Sequence, residues 1–200
     1  MIDLLEHSHL DPKHRKYVAM LKSENQSLLQ LLGNLLETAT PSSPVGHADK
    51  VDLPRLLQRV SYLCAENHDR VPDLRLKLND MSLYITGNSE KLSMALINIL
   101  NNAFQYTPKG TPVTVRLQPT SGNITITISD RGKGVGKMTR EQLFKKYSSE
   151  GFEEHGIQGL GLGMFVTRKV IAAHGGSVHV VSDKSGTKVI IVLKRGDHNE

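Results

Sequence analysis

The sequence predicts an α+β fold, a two-layer α/β sandwich of strands and helices, joined to a separate helical segment on its N-terminal side. Two features predict it. From residue 51 onward the apolar pattern switches between a period of 3.6 and a period of 2, without the strict strand–helix–strand repetition of a parallel sheet. Before that point a wide leucine stripe is set off by TPSSPVGHADK, whose prolines, serines and glycine have the composition of a linker. The chain therefore reads as a helical part over 1–40, a linker over 41–50 and a main domain over 51–196.

Each element has its own signal. Ile2 to Leu5, ahead of a turn at residues 7–12, reads as the end of an earlier helix. Residues 13–39 read as one long helix. Tyr17, Leu21, Leu28, Leu31 and Leu35 mark one face, Leu29, Leu32 and Leu36 widen it, and Pro12 beside Asp11 is a start signal. Such a stripe needs a partner, either on the main domain or in a bundle. The main domain opens with a helix over 53–67. Leu74, Leu76 and Leu78 alternate as a strand, and Leu83 to Thr86 form another. A helix over 88–105 follows, capped by Asn88 or Ser89. Strands come next at 112–118 and 123–129, the second alternating Ile124, Ile126 and Ile128. Residues 137–158 are polar and mixed in charge, with a short helix around 139–147. A helix over 163–174 and strands at 177–182 and 187–194 complete the domain.

Composition narrows the function classes. With aromatics at 4% and no Trp, the core must be built from Leu, Ile and Val. The net charge of +5 is spread among acids rather than gathered in a stripe, which argues against a nucleic-acid surface. The single cysteine, Cys64, excludes an intramolecular disulfide; it shares a face with Leu56, Leu57, Val60 and Leu63 and reads as a buried thiol. No apolar run approaches the ~20 residues of a membrane span and no signal-peptide pattern is present, so a cytoplasmic location is expected.

Three segments carry chemistry. Asn98 and Asn102 lie four apart on a helix, so their amides share a face, and a carboxamide oxygen is a hard ligand suited to Mg²⁺ beside phosphates. Capping or surface hydrogen bonding is the alternative for either residue, and Asn101 reads as part of the exposed face. Asp130-Arg131-Gly132-Lys133-Gly134 directly follows a strand; its Asp can accept from an exocyclic amine such as N6 of adenine, or can simply make a turn. Gly159-Leu160-Gly161-Leu162-Gly163 opens a helical pattern. Its unobstructed backbone and helix N-terminus suit phosphate, but Met164 stands where a P-loop would carry Gly-Lys-Ser/Thr.

In this order and spacing the three segments resemble the N box and two glycine boxes of the ATP-binding catalytic domain of sensor histidine kinases, members of the superfamily shared with gyrase, mismatch-repair and chaperone ATPases. Further matches are Gly87-Asn88-Ser89-Glu90-Lys91-Leu92 as the lead-in, Leu143-Phe144-Lys145-Lys146-Tyr147 as the F box, Gly186-Thr187-Lys188 as the last glycine box, and Val51-Asp52-Leu53 as the domain start. The resemblance covers roughly residues 51–195 and implies a Bergerat-type ATP-binding fold with ATP and Mg²⁺ as cofactors. It implies that Asn102 holds Mg²⁺ and that Asn98 occupies the place where related ATPases carry a general base. Tyr106 would pack along the adenine or ribose, and Asp130 would read the adenine amine, with Gly132 and Gly134 allowing close approach. Gly159, Leu160, Gly161, Leu162 and Gly163 would close on the phosphates as the hinge of a lid spanning 137–158.

Two departures stand out. Gln105 occupies a position where many family members have a phosphate-touching Lys or Arg, leaving Lys109, Lys145 or Lys146 to compensate. None of the nine histidines has the family's phosphoacceptor context, an acid, then a basic residue, then Thr-Pro; His9-Leu10-Asp11-Pro12 comes nearest with the wrong order. The helix at 13–39 is similar to the second helix of the dimerisation and phosphotransfer hairpin, most like that of hybrid sensor kinases. The expected acceptor would then lie ahead of Met1. The implied partners are ATP or ADP, a response-regulator receiver domain and, through the hairpin, a second copy of the kinase. No nucleic acid and no direct membrane contact are expected, and the location is the cytoplasmic part of a membrane-anchored sensor or the cytoplasm itself. Two other readings stay open: a catalytically degenerate, kinase-like interaction module, which Gln105 favours, and a superfamily ATPase of another branch, which the F box and Asn98 oppose.

Overall fold

The computed structural model describes residues 48–78, 83–135, 140–144 and 163–196. All lie in the second of the two units into which the chain divides, Ser42–Glu200. The expected helix at 13–39, the turn before it and most of the linker fall outside the described residues, as does most of the expected lid.

Strand β1 (Asp49–Asp52) leads into helix α1 (Leu53–Asn67). Strands β2 (Leu74–Lys77) and β3 (Tyr84–Gly87) precede helix α2 (Ser89–Tyr106). The hairpin of β4 (Val113–Thr120) and β5 (Asn123–Ser129) is followed by the single turn α3 (Arg140–Leu143), helix α4 (Gly163–Ala173) and the hairpin of β6 (Ser177–Asp183) and β7 (Gly186–Lys194). The main sheet runs β2-β4-β5-β7-β6; β2 is parallel to β4, and the other neighbours are antiparallel. This is the α+β arrangement of strands and helices that the sequence predicts, with one parallel pairing, β2 beside β4, that it did not announce.

Beyond those expectations, β1 draws Asp49 and Lys50 out of the expected linker into antiparallel pairing with β3, Val51 opposite Ile85. Four residues with one buried apolar position carry too little alternation to announce a strand. A 3₁₀ turn at Val71–Asp73 was likewise not expected.

Packing rather than propensity holds these elements. On α2, Leu92, Ala95, Leu96, Ile99, Leu100, Ala103 and Phe104 are buried at helical spacing. Each large side chain contributes about 1.5–3 kcal/mol, against tenths of a kcal/mol for intrinsic preferences that disfavour its several Asn and Ser. On the sheet, Val113, Val115 and Leu117 of β4, Ile124, Ile126 and Ile128 of β5, and Val189, Ile191 and Leu193 of β7 are buried in the same core. Caps fix the helix starts: Asp52 accepts from the Arg55 N–H at 3.1 Å, and Asn88 from the Lys91 N–H at 2.9 Å. At the end of α4, Gly175 adopts φ +69° and the Gly176 N–H reaches back to the Ile171 carbonyl at 2.9 Å.

His174 joins two helices. Its Nδ1 lies 2.7 Å from the Val170 carbonyl and its Nε2 lies 3.0 Å from the Asn88 N–H, so Nδ1 carries the proton and Nε2 accepts. A Cβ at Gly87 would stand 2.4 Å from the His174 ring, which explains a glycine there.

Cys64 is buried on α1 as expected, but Leu63 is 46% exposed and lies off that face. Burial pushes the Cys64 thiol up to about 12. At pH 8 it is therefore expected to react with a thiol-specific reagent on the order of a hundredfold more slowly in the native protein than in urea, where thiolate and access are restored. Equal rates in the two states would contradict the burial.

Candidate functional site

The site gathers around the C-terminal end of α2 and the loop after β5. Pro108 forces Thr107 into an extended conformation, with φ −102° and ψ +133°, and this ends α2 and leaves its last carbonyls without helical partners. Arg70, 3% exposed, supplies the missing donors. Its Nη1 donates to the carbonyls of Phe104 at 2.7 Å and Thr107 at 2.6 Å; its Nη2 donates to those of Pro108 at 2.8 Å and Thr111 at 3.0 Å. Its Nε pairs with Asp73 at 2.8 Å, an interaction that holds the Asp73 carboxyl below its ordinary range. The guanidinium also lies over the Phe104 ring, 5.6 Å from its centroid. A cation at the negative end of a helix is favourably placed, and a planar fork meets four carbonyls where an ammonium could not.

At the C-cap of α1, His68 stacks on Phe104 with centroids 5.8 Å apart. Burial lowers its pKa, and a side-chain hydrogen bond that Asn101 accepts opposes that shift. Asn101 is thus half-buried and engaged, where the sequence placed it on the exposed face.

Asp130 begins the loop after β5. Its N–H donates to the Thr187 carbonyl at 2.9 Å, and its Oδ1 accepts from the N–H groups of Gly132 at 2.8 Å and Thr187 at 3.3 Å. Burial raises its pKa, and the two backbone donors offset part of that rise. The Thr107 hydroxyl acts in the same direction as those donors, more weakly, although it is buried without a hydrogen-bond partner of regular geometry.

The loop is clamped to its surroundings. A Cβ on Gly132 would stand 2.5 Å from the Tyr106 carbonyl oxygen, one on Gly134 (φ +73°) 2.2 Å from that of Asp183, and one on Gly186 2.1 Å from that of Asp130. The Val135 N–H donates to Ser182 Oγ at 3.0 Å, and that hydroxyl lies 3.1 Å from Thr187 Oγ1. At Gly132 and Gly134 the close approach seen is therefore of the chain to itself.

Among the sequence-predicted residues, Asn98 is 1% exposed and lies against the start of α4, its Cγ 3.6 Å from where a Gly163 Cβ would stand. Asn102 follows one turn later, half-buried. Gln105 and Tyr106 line an open cavity of about 280 Å³ together with Thr107, Pro108 and Lys133. Burial raises the Tyr106 pKa, which keeps its phenol neutral. Phe144 of the F box is buried, with the Arg168 guanidinium of α4 5.5 Å from its ring centroid. Lys145, Lys146, Gly159, Leu160, Gly161 and Leu162 lie outside the described residues. Arg70, Thr107, Lys133 and Ser182 were not singled out by sequence reasoning. The one available signal was Pro108, which announces a helix end whose carbonyls need donors.

Residues 87–197 match the family described as "Histidine kinase-, DNA gyrase B-, and HSP90-like ATPase". The chain belongs to this family. It is 28% identical over 195 residues to the sensor histidine kinase YcbM of Bacillus subtilis (strain 168), a match that covers 92% of this chain and 61% of that protein. Among solved structures, a mycobacterial sensor histidine kinase, MprB, aligns with a TM-score of 0.62 and 26% identity over 74% of this chain and 97% of that one. Full-length ShkA in complex with AMPPNP aligns with a TM-score of 0.69 at 23% identity, covering 100% of this chain and 42% of that one, and shares the fold. The chain thus carries a histidine kinase-like ATPase catalytic domain, and it spans about three fifths of the length of the curated relative YcbM.

Two outcomes follow from this geometry. Arg70→Met removes the guanidinium from four carbonyls, of which, among the described residues, only that of Pro108 keeps other donors, the Thr111 N–H and hydroxyl, and is expected to cost about 3–5 kcal/mol in urea unfolding; Arg70→Lys should recover only part, because three ammonium donors on a point cannot span the four acceptors. Asp130→Asn keeps an oxygen for the Gly132 and Thr187 donors but presents an amide to the ligand. Because burial raises the Asp130 pKa, its charge costs stability above that pKa, and the cost vanishes as pH falls below the unfolded value. At pH 7 the variant should therefore melt no lower than the wild type, while ATP affinity falls roughly tenfold to a hundredfold. A drop in both would show that Asp130 is structural.

Proposed function

We propose that this chain is the ATP-binding catalytic part of a sensor histidine kinase, which transfers the γ-phosphoryl of ATP to a His on a hairpin helix outside the described domain, for relay to a response-regulator Asp. The observation that carries the reading is Asp130, a half-buried carboxylate whose Oδ1 is committed to two backbone donors. That oxygen and the Tyr106 carbonyl both lie within 3.0 Å of where a Gly132 Cβ would stand, so the carboxylate sits beside the wall of the cavity that Tyr106 lines, in reach of an exocyclic amine there. An acceptor of this kind, next to an aromatic and a buried hydroxyl, suits the adenine edge.

The rest of the site takes its place from there. Asn98 and Asn102 follow α2 away from Tyr106 toward the start of α4, where phosphates would meet the helix N-terminus at Gly163. The donor set fits Mg²⁺, which takes oxygen ligands, keeps several waters and borrows the rest from phosphates. Asn102 offers a half-buried amide oxygen, and among the described residues no cluster of three His, Cys, Asp or Glu side chains competes for the ion. Bound there, Mg²⁺ would neutralise charge on the transferring phosphates. This chain's own residues position the nucleotide: Asn98 stands where a base would in related ATPases, and Gly159 to Gly163, with Lys145 and Lys146, would close over the phosphates.

No helix among the described residues is long and apolar enough to cross a membrane. A cytoplasmic position, a receiver-domain partner and dimerisation through the hairpin belong to the same proposal. Gln105, exposed and neutral, favours the second reading, a kinase-like module that docks another kinase with its own pocket weak or empty.

Labelled ATP with Mg²⁺ separates these. The kinase reading expects calorimetric ATP binding, no label on the lone 200-residue chain, and label on a separately supplied acceptor hairpin. Label on the chain itself would show that the acceptor lies within it, and absence of ATP binding would favour the docking module.

A further inference from the structure

A nucleotide held by its base still presents two or three charged phosphates, and a site that takes them must supply positive charge. Of the residues lining the cavity, Gln105, Tyr106, Thr107 and Pro108 carry none; Lys133 is the only cation among them. The neighbouring Lys109 is not among the lining residues; it is exposed, with its Nζ 3.8 Å from the exposed Asp69. Lys133 takes part in neither ion pair found among the described residues, Arg70–Asp73 and Lys109–Asp69, and its side chain is exposed.

Its base is held, unlike that of an ordinary loop lysine. The residues on either side are the glycines whose backs are pressed against the carbonyls of Tyr106 and Asp183. Gly132 is further tied to Asp130 Oδ1, and Val135 to Ser182 Oγ. Three residues from the carboxylate assigned to adenine, a clamped backbone thus projects one uncommitted ammonium onto the cavity wall that also carries Gln105.

We propose that Lys133 is a cation that meets the nucleotide's phosphates, doing from the loop after β5 what the neutral Gln105 cannot do from α2. The inference rests on the nucleotide-binding reading of Asp130 and goes beyond it by assigning the discrimination between nucleotide and nucleoside to a specific side chain. Lys133 acts here as a binding and specificity residue, through charge on a flexible stem, so its contribution depends on salt.

The test compares adenosine, ADP and ATP by calorimetry on the full 200-residue chain with Mg²⁺, at low and moderate salt. Lys133→Met retains the aliphatic stem and removes the charge. Its affinity for ADP and ATP is expected to fall roughly tenfold, a loss of about 1.4 kcal/mol, with adenosine affinity and melting temperature unchanged and a shallower salt dependence. Adding Gln105→Lys to that variant, which places a charge on the other wall of the cavity, should restore much of the loss. Equal losses for adenosine and ADP would overturn the proposal in favour of stem packing on the base, and unchanged ADP affinity would overturn it outright while leaving the nucleotide reading intact. A wild-type chain that binds none of the three ligands would overturn both.

Discussion

The end of this domain that carries the candidate site depends on one buried guanidinium. Helix α2 must stop where Pro108 stops it, and a stopped helix leaves carbonyls that need partners in a place where water is excluded. Arg70 reaches them from the end of α1, some 34 residues earlier in the chain at its nearest partner, Phe104. In doing so it ties the first helix, the second helix and the segment Thr107 to Thr111 into one unit. The wall formed by Tyr106, Thr107 and Pro108 has its shape because of that tie. A site that must hold a ligand within fractions of an ångström needs such support behind the residues that touch it.

A second constraint comes from glycines that face inward. Gly132, Gly134 and Gly186 let the loop after β5 lie on the end of α2 and on the β6–β7 turn at separations that no side chain permits. The same contacts bring Thr187 to Asp130. One carboxylate oxygen is thereby fixed and buried enough that its pKa rises, yet it stays hydrogen-bonded. Motif glycines in such loops are readily assigned to ligand approach, whereas here at least two of them serve the approach of one backbone to another.

Most of the described secondary structure was legible because the signals were local and repeated. Helix α1 begins at Leu53 behind Asp52 and ends at Asn67, as the spacing of Leu56, Leu57, Val60 and Cys64 requires. The alternation of Ile124, Ile126 and Ile128 announced β5. Short or one-sided elements were less legible: β1 contributes a single buried apolar residue, Val51, and its pairing with β3 is a long-range event that no local pattern encodes. Leu63 shows the same limit in reverse, since a residue at the edge of an apolar stripe is buried or exposed according to what the rest of the fold places beside it.

By itself the sequence determined the fold class, the element order, the two amide positions on α2 and the Asp130 loop, because periodicity, caps and motif spacing are written along the chain. Only the tertiary structure decided where the charges near the candidate site fall. Arg70, which sequence reading left as one basic residue among many, became the buried clasp of the pocket wall, and Lys109, a candidate for the phosphates, stays exposed near Asp69. Lys133, hidden between two glycines of a turn, emerged beside Gln105. The physical reason is that a long charged side chain has no preferred direction of its own. Its role is set by the carbonyls, carboxylates and cavities that folding brings within its reach.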